Sequence, residues 1–111
     1  MIKVCNKHMH EETEQDIYIA RPSVLANPWS HMDSNYPDVI KVGSRKEAVD
    51  NYINYFLQQY KNDSSFREII DDLVELHKNN IDFNLVCWCS PKECHGDVIK
   101  KFVEYQVNRS K

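Results

Sequence analysis

Three of the four cysteines lie close together, in a stretch that also holds a histidine, a glycine and an aspartate. The stretch reads LVCWCSPKECHGD and contains Cys87, Cys89, Cys94 and His95, four side chains of the types that bind zinc. Zinc needs its ligands to meet around one point, about 2.0–2.3 Å from the ion. On one strand, Cys87 and Cys89 would be roughly 6–7 Å apart. Zinc held by these four residues is therefore an alternative, and no metal is the first expectation.

The residues CHGD at the end of this stretch precede a predicted helix, which raises two further kinds of chemistry. A helix N-terminus and a neighbouring imidazolium both lower the pKa of a thiol, so Cys94 could act as a nucleophile. We favour an anion site instead, in which free N–H groups of the first helical turn bind the ligand and Gly96 allows its close approach. The ligand-binding residues would then be Cys94, His95, Gly96 and Asp97. Asp97 could alternatively cap the helix, and Cys87 is expected to be a small buried packing residue.

A second stretch with binding chemistry, ARPSVLANPW, follows an apolar run and contains Arg21. The guanidinium of Arg21 suits a phosphate or a carboxylate, and it could equally bond to loop carbonyls or to Asp38. Ser23 and Asn27 could donate hydrogen bonds to a ligand, although both residue types are also common in turns. The prediction is a ligand-binding loop that includes Arg21, Pro22, Ser23 and Asn27.

Patterning and capping signals predict the elements that position these two stretches. Apolar runs predict strands at MIKVCN, DIYIAR and IDFNLVCWC, with a polar loop or hairpin between the first two. In the second strand, Ile17 and Ile19 should share one face and Tyr18 the other. Capping boxes at SRKE and SFRE predict helices that begin near Ser44 and Ser65, and a third helix begins around Cys94 to Gly96. Recurrent prolines predict a long loop over residues 22–42.

This order of elements, ββ, loop, αα, β, α, predicts a single α/β domain over residues 1–111, with a partly parallel sheet flanked by helices in two or three layers. Ligands of such sheets bind beyond the carboxyl ends of the strands. Because ARPSVLANPW and CSPKECHGD each follow a strand, we expect them to meet at one pocket. Three tyrosines of the first helix, Tyr52, Tyr55 and Tyr60, could either contact a second copy in a homo-oligomer or line the core.

Composition excludes several classes of function. The chain has 111 residues, of which 41% are hydrophobic, and this suits one soluble domain. A formal net charge of -3 argues against binding a nucleic acid polymer. No apolar run approaches the ~20 residues that span a bilayer, and the N-terminus lacks a signal-peptide pattern, so we expect a cytoplasmic protein without membrane partners. No phosphate-loop motif is present, and no cofactor is expected.

Three blocks, IYIARPSVLANPW, SRKEAVDNYINYFL and LVCWCSPKECHGDVI, resemble a small domain family of unknown function found in bacteria and their phages. The family pattern is an (I/V)GRPS…GNP(F/W) loop, a helix with R-x-E-A-V-x-x-Y, and L-x-C-x-C-x-P-x-x-C-H-G-D near the C-terminus. Ala20 and Ala26 stand where the family usually has glycine, which would narrow the loop. The resemblance implies the following motif positions: Arg21, Pro22, Ser23, Asn27, Pro28, Arg45, Tyr52, Cys87, Cys89, Pro91, Cys94, His95, Gly96 and Asp97.

The family carries no assigned activity, so the expected function comes from a similarity to small Rossmann-like nucleotide-sensing domains. By that analogy the chain is a binding module for a small nucleotide-derived ligand, such as an ADP-ribose-like or cyclic nucleotide signal. Encoded by a phage, it would sequester a host defence signal in the host cytoplasm. The alternatives are a nucleotide-processing enzyme of hydrolase or glycosidase type that uses Cys94, His95 or Asp97, and a structural zinc domain.

Overall fold

Eight strands and helices form the part of the chain that the computed structural model describes, which is residues 1–8, 10–21, 23–32, 38–88 and 94–109. They are β1 (Ile2–Asn6), β2 (Asp16–Tyr18), β3 (Trp29–Ser30), β4 (Ile40–Lys41), α1 (Arg45–Asn62), α2 (Ser64–Lys78), β5 (Phe83–Cys87) and α3 (His95–Arg109). The order confirms the predicted α/β arrangement. The short strands β3 and β4 are additions within the predicted long loop, and they pair with each other in parallel.

The main sheet has β5 at its centre, with β1 on one side and β2 on the other. Both outer strands run parallel to β5, and Val4 and Ile17 both pair with Leu85. A hairpin between β1 and β2 is therefore the wrong interpretation, because β5 separates them. Three parallel strands place their carboxyl ends at one edge, where the segments after β2 and β5 begin.

Side-chain alternation gives this sheet two different faces. One face packs against the helices, and its residues join the hydrophobic core: Ile2, Ile19, Phe83, Leu85 and Cys87 from the sheet side, with Tyr52, Phe56, Phe66, Ile70, Ile99 and Val103 from the helices. The other face carries Asp16, Tyr18, Asn84 and Val86, and the loop between β1 and β2 lies over it. The prediction that Ile17 and Ile19 share the core face, opposite to Tyr18, is confirmed.

The capping signals are confirmed at α1 and corrected at α2. Ser44 accepts a hydrogen bond from the N–H of Glu47 at 3.1 Å, as a capping box requires. The cap expected at Ser65 is wrong, because the carboxylate of Asp63 accepts from the N–H groups of Ser65 and Phe66. Asp63 is an equally strong N-cap and lies two positions earlier. Its own N–H donates to the carbonyl of Gln59, so one residue ends α1 and begins α2.

The tyrosines of α1 belong to the core. Tyr52 is fully buried and its hydroxyl donates to the carbonyl of Leu25 at 2.7 Å. Tyr55 and Tyr60 are partly buried against the same core. Of the two alternatives, lining the core is the one observed. In the described ranges, no helix combines the length and the apolar character that crossing a membrane requires.

Candidate functional site

The carboxyl edge of the main sheet brings the end of β2 into contact with the start of α3. His95, the first residue of α3, is buried, and its Nε2 atom lies 2.7 Å from the carbonyl oxygen of Ile19. A carbonyl oxygen only accepts, so Nε2 carries the proton. The His95 ring also packs edge-on against Tyr52, with 5.0 Å between the ring centroids. The start of α3 therefore contacts the residue that directly precedes the ARPSVLANPW stretch.

His95 is neutral at physiological pH. Burial is the main reason that the pKa of His95 is lowered to about 4. The charge of Arg21 acts in the same direction, while the Ile19 carbonyl and Asp97 act against it. Neutral His95 therefore adds no positive charge for an anionic ligand, and it is not the imidazolium that would lower the pKa of Cys94.

The CHGD segment uses its own side chains to cap α3. The sulfur of Cys94 accepts from the N–H of Gly96 at 3.3 Å, and the carboxylate of Asp97 accepts from the N–H of Cys94 at 3.2 Å. This is a capping box in which cysteine replaces serine. The N–H of Asp97 also has an acceptor, the Cys94 carbonyl, at 3.1 Å. Three N–H groups that an anion would need are thus already bonded within the segment.

Gly96 lets the helix approach the sheet closely. A Cβ atom at this position would lie 2.8 Å from Cγ1 of Val4 and 2.9 Å from Cδ1 of Ile19. Real Cβ atoms do not come that near to other carbon atoms, so only glycine fits here without a shift. Gly96 therefore permits a close approach between α3 and the sheet, and the close approach of a ligand at Gly96 stays a prediction.

Cys87 and Cys94 form a buried pair, with 3.3 Å between their sulfur atoms. Burial of Cys87 as a packing residue was predicted and is observed. The hydrogen bond to Cys87 and, as the second cause, burial raise the pKa of the Cys94 thiol far above its usual range. Cys94 is therefore not an activated nucleophile.

Of the four residues considered for zinc, Cys89 lies outside the described residues, and His95 already uses Nε2 on Ile19. Across the described ranges, no group of three His, Cys, Asp or Glu side chains is arranged to hold a metal ion. Zinc coordination by the full set therefore stays a prediction.

Arg21 is a half-buried cation that the loop holds in place. Its Nε donates to the carbonyl of Asn27 at 3.2 Å, and its Nη2 donates to the carbonyl of Trp29 at 3.4 Å. No carboxylate of the described residues forms an ion pair with it, Asp38 included. A guanidinium offers five N–H donors, so the two carbonyls leave donors available.

Of the other residues of the predicted loop, Asn27 is hydrogen-bonded through its side chain and Ser23 is not, within the described residues. Asn27 is buried, its amide donates to the carbonyl of Ala48 at 3.0 Å, and its oxygen accepts from the N–H of Trp29. Asn27 thus fixes the loop to the first turn of α1. The Oγ atom of Ser23 is buried and has no hydrogen-bond partner among the described residues. Pro22 lies outside those residues.

Arg45, the first residue of α1, belongs to the same neighbourhood, and sequence reasoning did not include it in the site. Its Nη1 atom is buried and, in the part of the chain that the structure describes, has no hydrogen-bond partner. Arg45 lies in the first turn of α1, three residues before Ala48. The carbonyl of Ala48 accepts from Asn27 and so attaches the loop to this turn. The signal was available, because Arg45 opens the R-x-E-A-V-x-x-Y block.

Trp88, directly after β5, is a second residue that sequence reasoning left out. The side chain is 44% exposed, yet its orientation is fixed, since Nε1 donates to the Tyr18 hydroxyl at 3.0 Å. That hydroxyl in turn donates to the carbonyl of Arg21 at 2.7 Å. At the carboxyl edge, Tyr18 therefore links the exposed ring of Trp88 to the backbone of Arg21, whose guanidinium forms no ion pair with a described residue.

Comparison with known proteins places the chain in a family. Residues 2–105 match the family model described as Domain of unknown function (DUF4326). The chain belongs to this family. No curated protein and no solved structure matches it. The DUF4326 match spans β1 to β5 and most of α3, and it brings no activity with it, so function must be argued from the site.

Among the described residues of this DUF4326 domain, three buried side-chain atoms lack a hydrogen-bond partner, and one of them, Nδ1 of His77, lies apart in α2. The other two, the Oγ of Ser23 and the Nη1 of Arg45, belong to the loop after β2 and to the start of α1, where Arg21 also has remaining donors. Buried polar groups cost free energy unless they are hydrogen-bonded, and half-buried charges are usually paired. A ligand with an anionic group and hydrogen-bond acceptors supplies what Arg21, Ser23 and Arg45 lack.

Proposed function

We propose that this DUF4326 domain is a binding module for a small nucleotide-derived ligand, such as an ADP-ribose-like or cyclic nucleotide signal. The observation that carries the proposal is Arg21, a half-buried guanidinium without a carboxylate partner in the described ranges, at the carboxyl edge of a parallel sheet. Guanidinium groups bind phosphate oxygens through paired N–H donors. The two loop carbonyls orient the group before the ligand arrives, which lowers the entropy cost of binding.

Trp88 supports a nucleotide over a simple anion. Its exposed ring is held rigidly at the same edge, and a fixed aromatic face is a platform on which a base can stack, worth ~1–3 kcal/mol per base in nucleic-acid binders. Hydrogen bonds from Trp88 through Tyr18 hold the Trp88 ring near the backbone of Arg21, while the Asn27 and Trp29 carbonyls orient its guanidinium. Ser23 and Arg45 would add hydrogen bonds to the same ligand.

The contacts of the CHGD segment favour binding over catalysis. A nucleotide-processing enzyme would need an acid, a base or a nucleophile from this segment. Cys94 is a buried thiol with a raised pKa, His95 has a pKa lowered to about 4, and Asp97 accepts from a backbone N–H. Cys94 and His95 hold α3 against the sheet and Asp97 caps the helix, so each of these groups is already engaged.

Thermal unfolding with candidate nucleotides tests the proposal. A ligand at 100 times its dissociation constant stabilises the folded state by about 2.7 kcal/mol, which appears as a higher melting temperature. Arg21→Ala should abolish this increase, and the matched control Arg109→Ala, at the end of α3, should retain it. Because Arg21 also supports the loop, Arg21→Lys is the second variant: it keeps the charge, lacks the fork and should bind roughly tenfold more weakly.

The fate of the bound nucleotide separates the two modes of action. After incubation, the protein is denatured by heat and the released nucleotide is analysed by mass spectrometry. Intact nucleotide agrees with sequestration, the role that a phage-encoded module would have toward a host defence signal. Converted product would contradict the binding proposal and favour the enzyme. A full panel of ADP-ribose-like and cyclic nucleotides that leaves the melting temperature unchanged would also contradict it.

A further inference from the structure

A separate cavity lies on the sheet face opposite to the helices, beneath the loop that joins β1 to β2. Its volume is about 330 Å³, and it is lined by Lys7, His10, Glu12, Thr13, Asp16, Tyr18 and Val86. Val86 is buried and forms an apolar floor next to the Tyr18 side chain, its neighbour across the strands. The rest of the lining is polar or charged. A cavity of this size suits a small molecule rather than a polymer.

The charge of Asp16 is already used within the protein. Its carboxylate accepts from the N–H of Thr13 at 3.0 Å, the hydroxyl of Thr13 at 2.9 Å and the amide of Asn84 at 3.0 Å. The Nε2 of His10 lies 2.8 Å from the same carboxylate. The bond from the Thr13 backbone, then that from Asn84, holds the pKa of Asp16 well below its usual range. Asp16 therefore fixes the loop and the His10 ring.

Two opposite charges line the same cavity and are not paired. The ammonium of Lys7 lies 5.5 Å from the centroid of the Tyr18 ring, and the backbone N–H of Lys7 donates to the carbonyl of Cys87, which fixes its position. In the described part of the chain, neither Lys7 nor Glu12 forms an ion pair, with each other or with another residue. A ligand that carries both charges would pair with both Lys7 and Glu12.

We propose that this cavity binds a small zwitterion of the α-amino-acid class. Its carboxylate contacts Lys7, its ammonium contacts Glu12, and its side chain lies over Val86 and the Tyr18 ring. Charge-assisted hydrogen bonds to Lys7 and Glu12 supply specificity for a molecule with both charges, and the apolar floor favours an aliphatic side chain. This site is distinct from the nucleotide site, because Arg21, Ser23 and Arg45 do not line the cavity, although Tyr18 borders both.

Three probes that differ only in charge test the proposal by NMR titration of the labelled protein. The probes are leucine, leucinamide, which lacks the carboxylate, and 4-methylpentanoate, which lacks the ammonium. Leucine should cause saturable shifts of the amide signals from Lys7 to Tyr18 and of Val86. Each analogue should bind at least about tenfold more weakly, since each loses one charge-assisted contact. An absent response to leucine, or an analogue that binds as tightly as leucine, would overturn the proposal.

Matched variants identify the two charged contacts. Lys7→Ala and Glu12→Gln should each weaken leucine binding about tenfold. The controls are Lys61→Ala on the exposed surface of α1 and Glu14→Gln in the same loop but outside the lining, and both should leave it unchanged. The spectra of the variants also show that each folds. Unaltered leucine binding by Lys7→Ala or Glu12→Gln would contradict the proposed orientation. Arg21→Ala should affect nucleotide binding alone, so the two proposals fail separately.

Discussion

Two segments reach the carboxyl edge of the sheet, and they differ in how fully their polar groups are hydrogen-bonded within the protein. The CHGD segment after β5 bonds its groups to one another and to the end of β2, through Cys94, His95 and Asp97. The loop after β2 leaves the Oγ of Ser23 and donors of Arg21 without partners among the described residues. The segment with the most conspicuous chemistry in the sequence is thus the one that stabilises the fold, and the proposed binding residues lie in the plainer loop.

The reason for this difference is the place of each segment in the fold. A helix start has several N–H groups to satisfy, and when it is buried against a sheet, water cannot satisfy them. Cys94 and Asp97 supply the missing acceptors within four residues. A loop at the edge of a sheet lies nearer to solvent, so the half-buried guanidinium of Arg21 can leave its remaining donors to a ligand.

The largest expected effect concerns His95 and the pH dependence of stability. The pKa of folded His95 is about 4, below the value of ~6.5 expected in the unfolded chain. Between these pH values the unfolded chain binds the extra proton, so the free energy of unfolding falls as the pH falls. At about 1.4 kcal/mol for each pH unit, the loss approaches 3 kcal/mol at pH 4. Urea unfolding measured at intervals from pH 7 to pH 4 checks this.

The control for this experiment is His95→Gln, which retains a donor for the Ile19 carbonyl and has no proton to gain. Its stability should vary much less over the same pH range, while the exposed control His8→Gln should behave like the natural chain. Equal slopes in His95→Gln and the natural protein would mean that His95 is protonated in the folded state. The start of α3 would then resemble the loop after β2 in having a charge available for an anion.

The next effect in size concerns the close approach of α3 to the sheet at Gly96. In Gly96→Ala the new Cβ meets Val4 and Ile19 at less than a normal contact distance, and overpacking of this kind costs about 1–3 kcal/mol. The higher helix propensity of alanine, at most about 1 kcal/mol, offsets only part of that. The control is Gly43→Ala, whose Cβ would meet only the end of the Glu47 side chain. Similar unfolding midpoints for the two variants would contradict a tightly packed Gly96.

The sequence predicts most of this fold because its signals are local. The order of elements, the cap at Ser44 and the faces of Ile17 and Tyr18 all follow from spacing within a few residues. The insertion of β5 between β1 and β2 does not, since it depends on residues more than sixty positions away, and a hairpin has the same local pattern. The cap of α2 was misplaced because two good capping residues, Asp63 and Ser65, stand close together.

The site was harder to predict than the fold, because a residue type does not reveal whether its polar atoms are already bonded. His95 does contact Ile19, next to the predicted loop, yet the sequence could not show that the groups of Cys94 and Asp97 are hydrogen-bonded within their own segment. Arg45 and Trp88 were overlooked for the same reason, since an unpartnered guanidinium and a fixed exposed ring are properties of the packed molecule.

The smallest expected change in stability, that of Ser23→Ala, tests most directly whether the loop after β2 differs from the start of α3. Ser23→Ala removes a buried hydroxyl that has no partner in the described chain, so the free energy of unfolding should be unchanged or raised by up to about 1 kcal/mol. The matched control, Ser44→Ala, removes a hydroxyl that caps α1 and should cost about 1 kcal/mol. Urea unfolding of both variants without ligand measures the contrast.

Nucleotide binding should be weakened by Ser23→Ala and not by Ser44→Ala, the reverse of their effects on stability. Ser44→Ala should keep the ligand-induced rise in melting temperature, whereas Ser23→Ala should lose part of it, because the hydroxyl finds its partner only in the ligand. If Ser23→Ala instead destabilises the protein as much as Ser44→Ala, the hydroxyl of Ser23 already has a partner in the folded chain. The loop after β2 would then be as internally satisfied as the start of α3, and the case for a binding site there would rest on Arg21 and Arg45 alone.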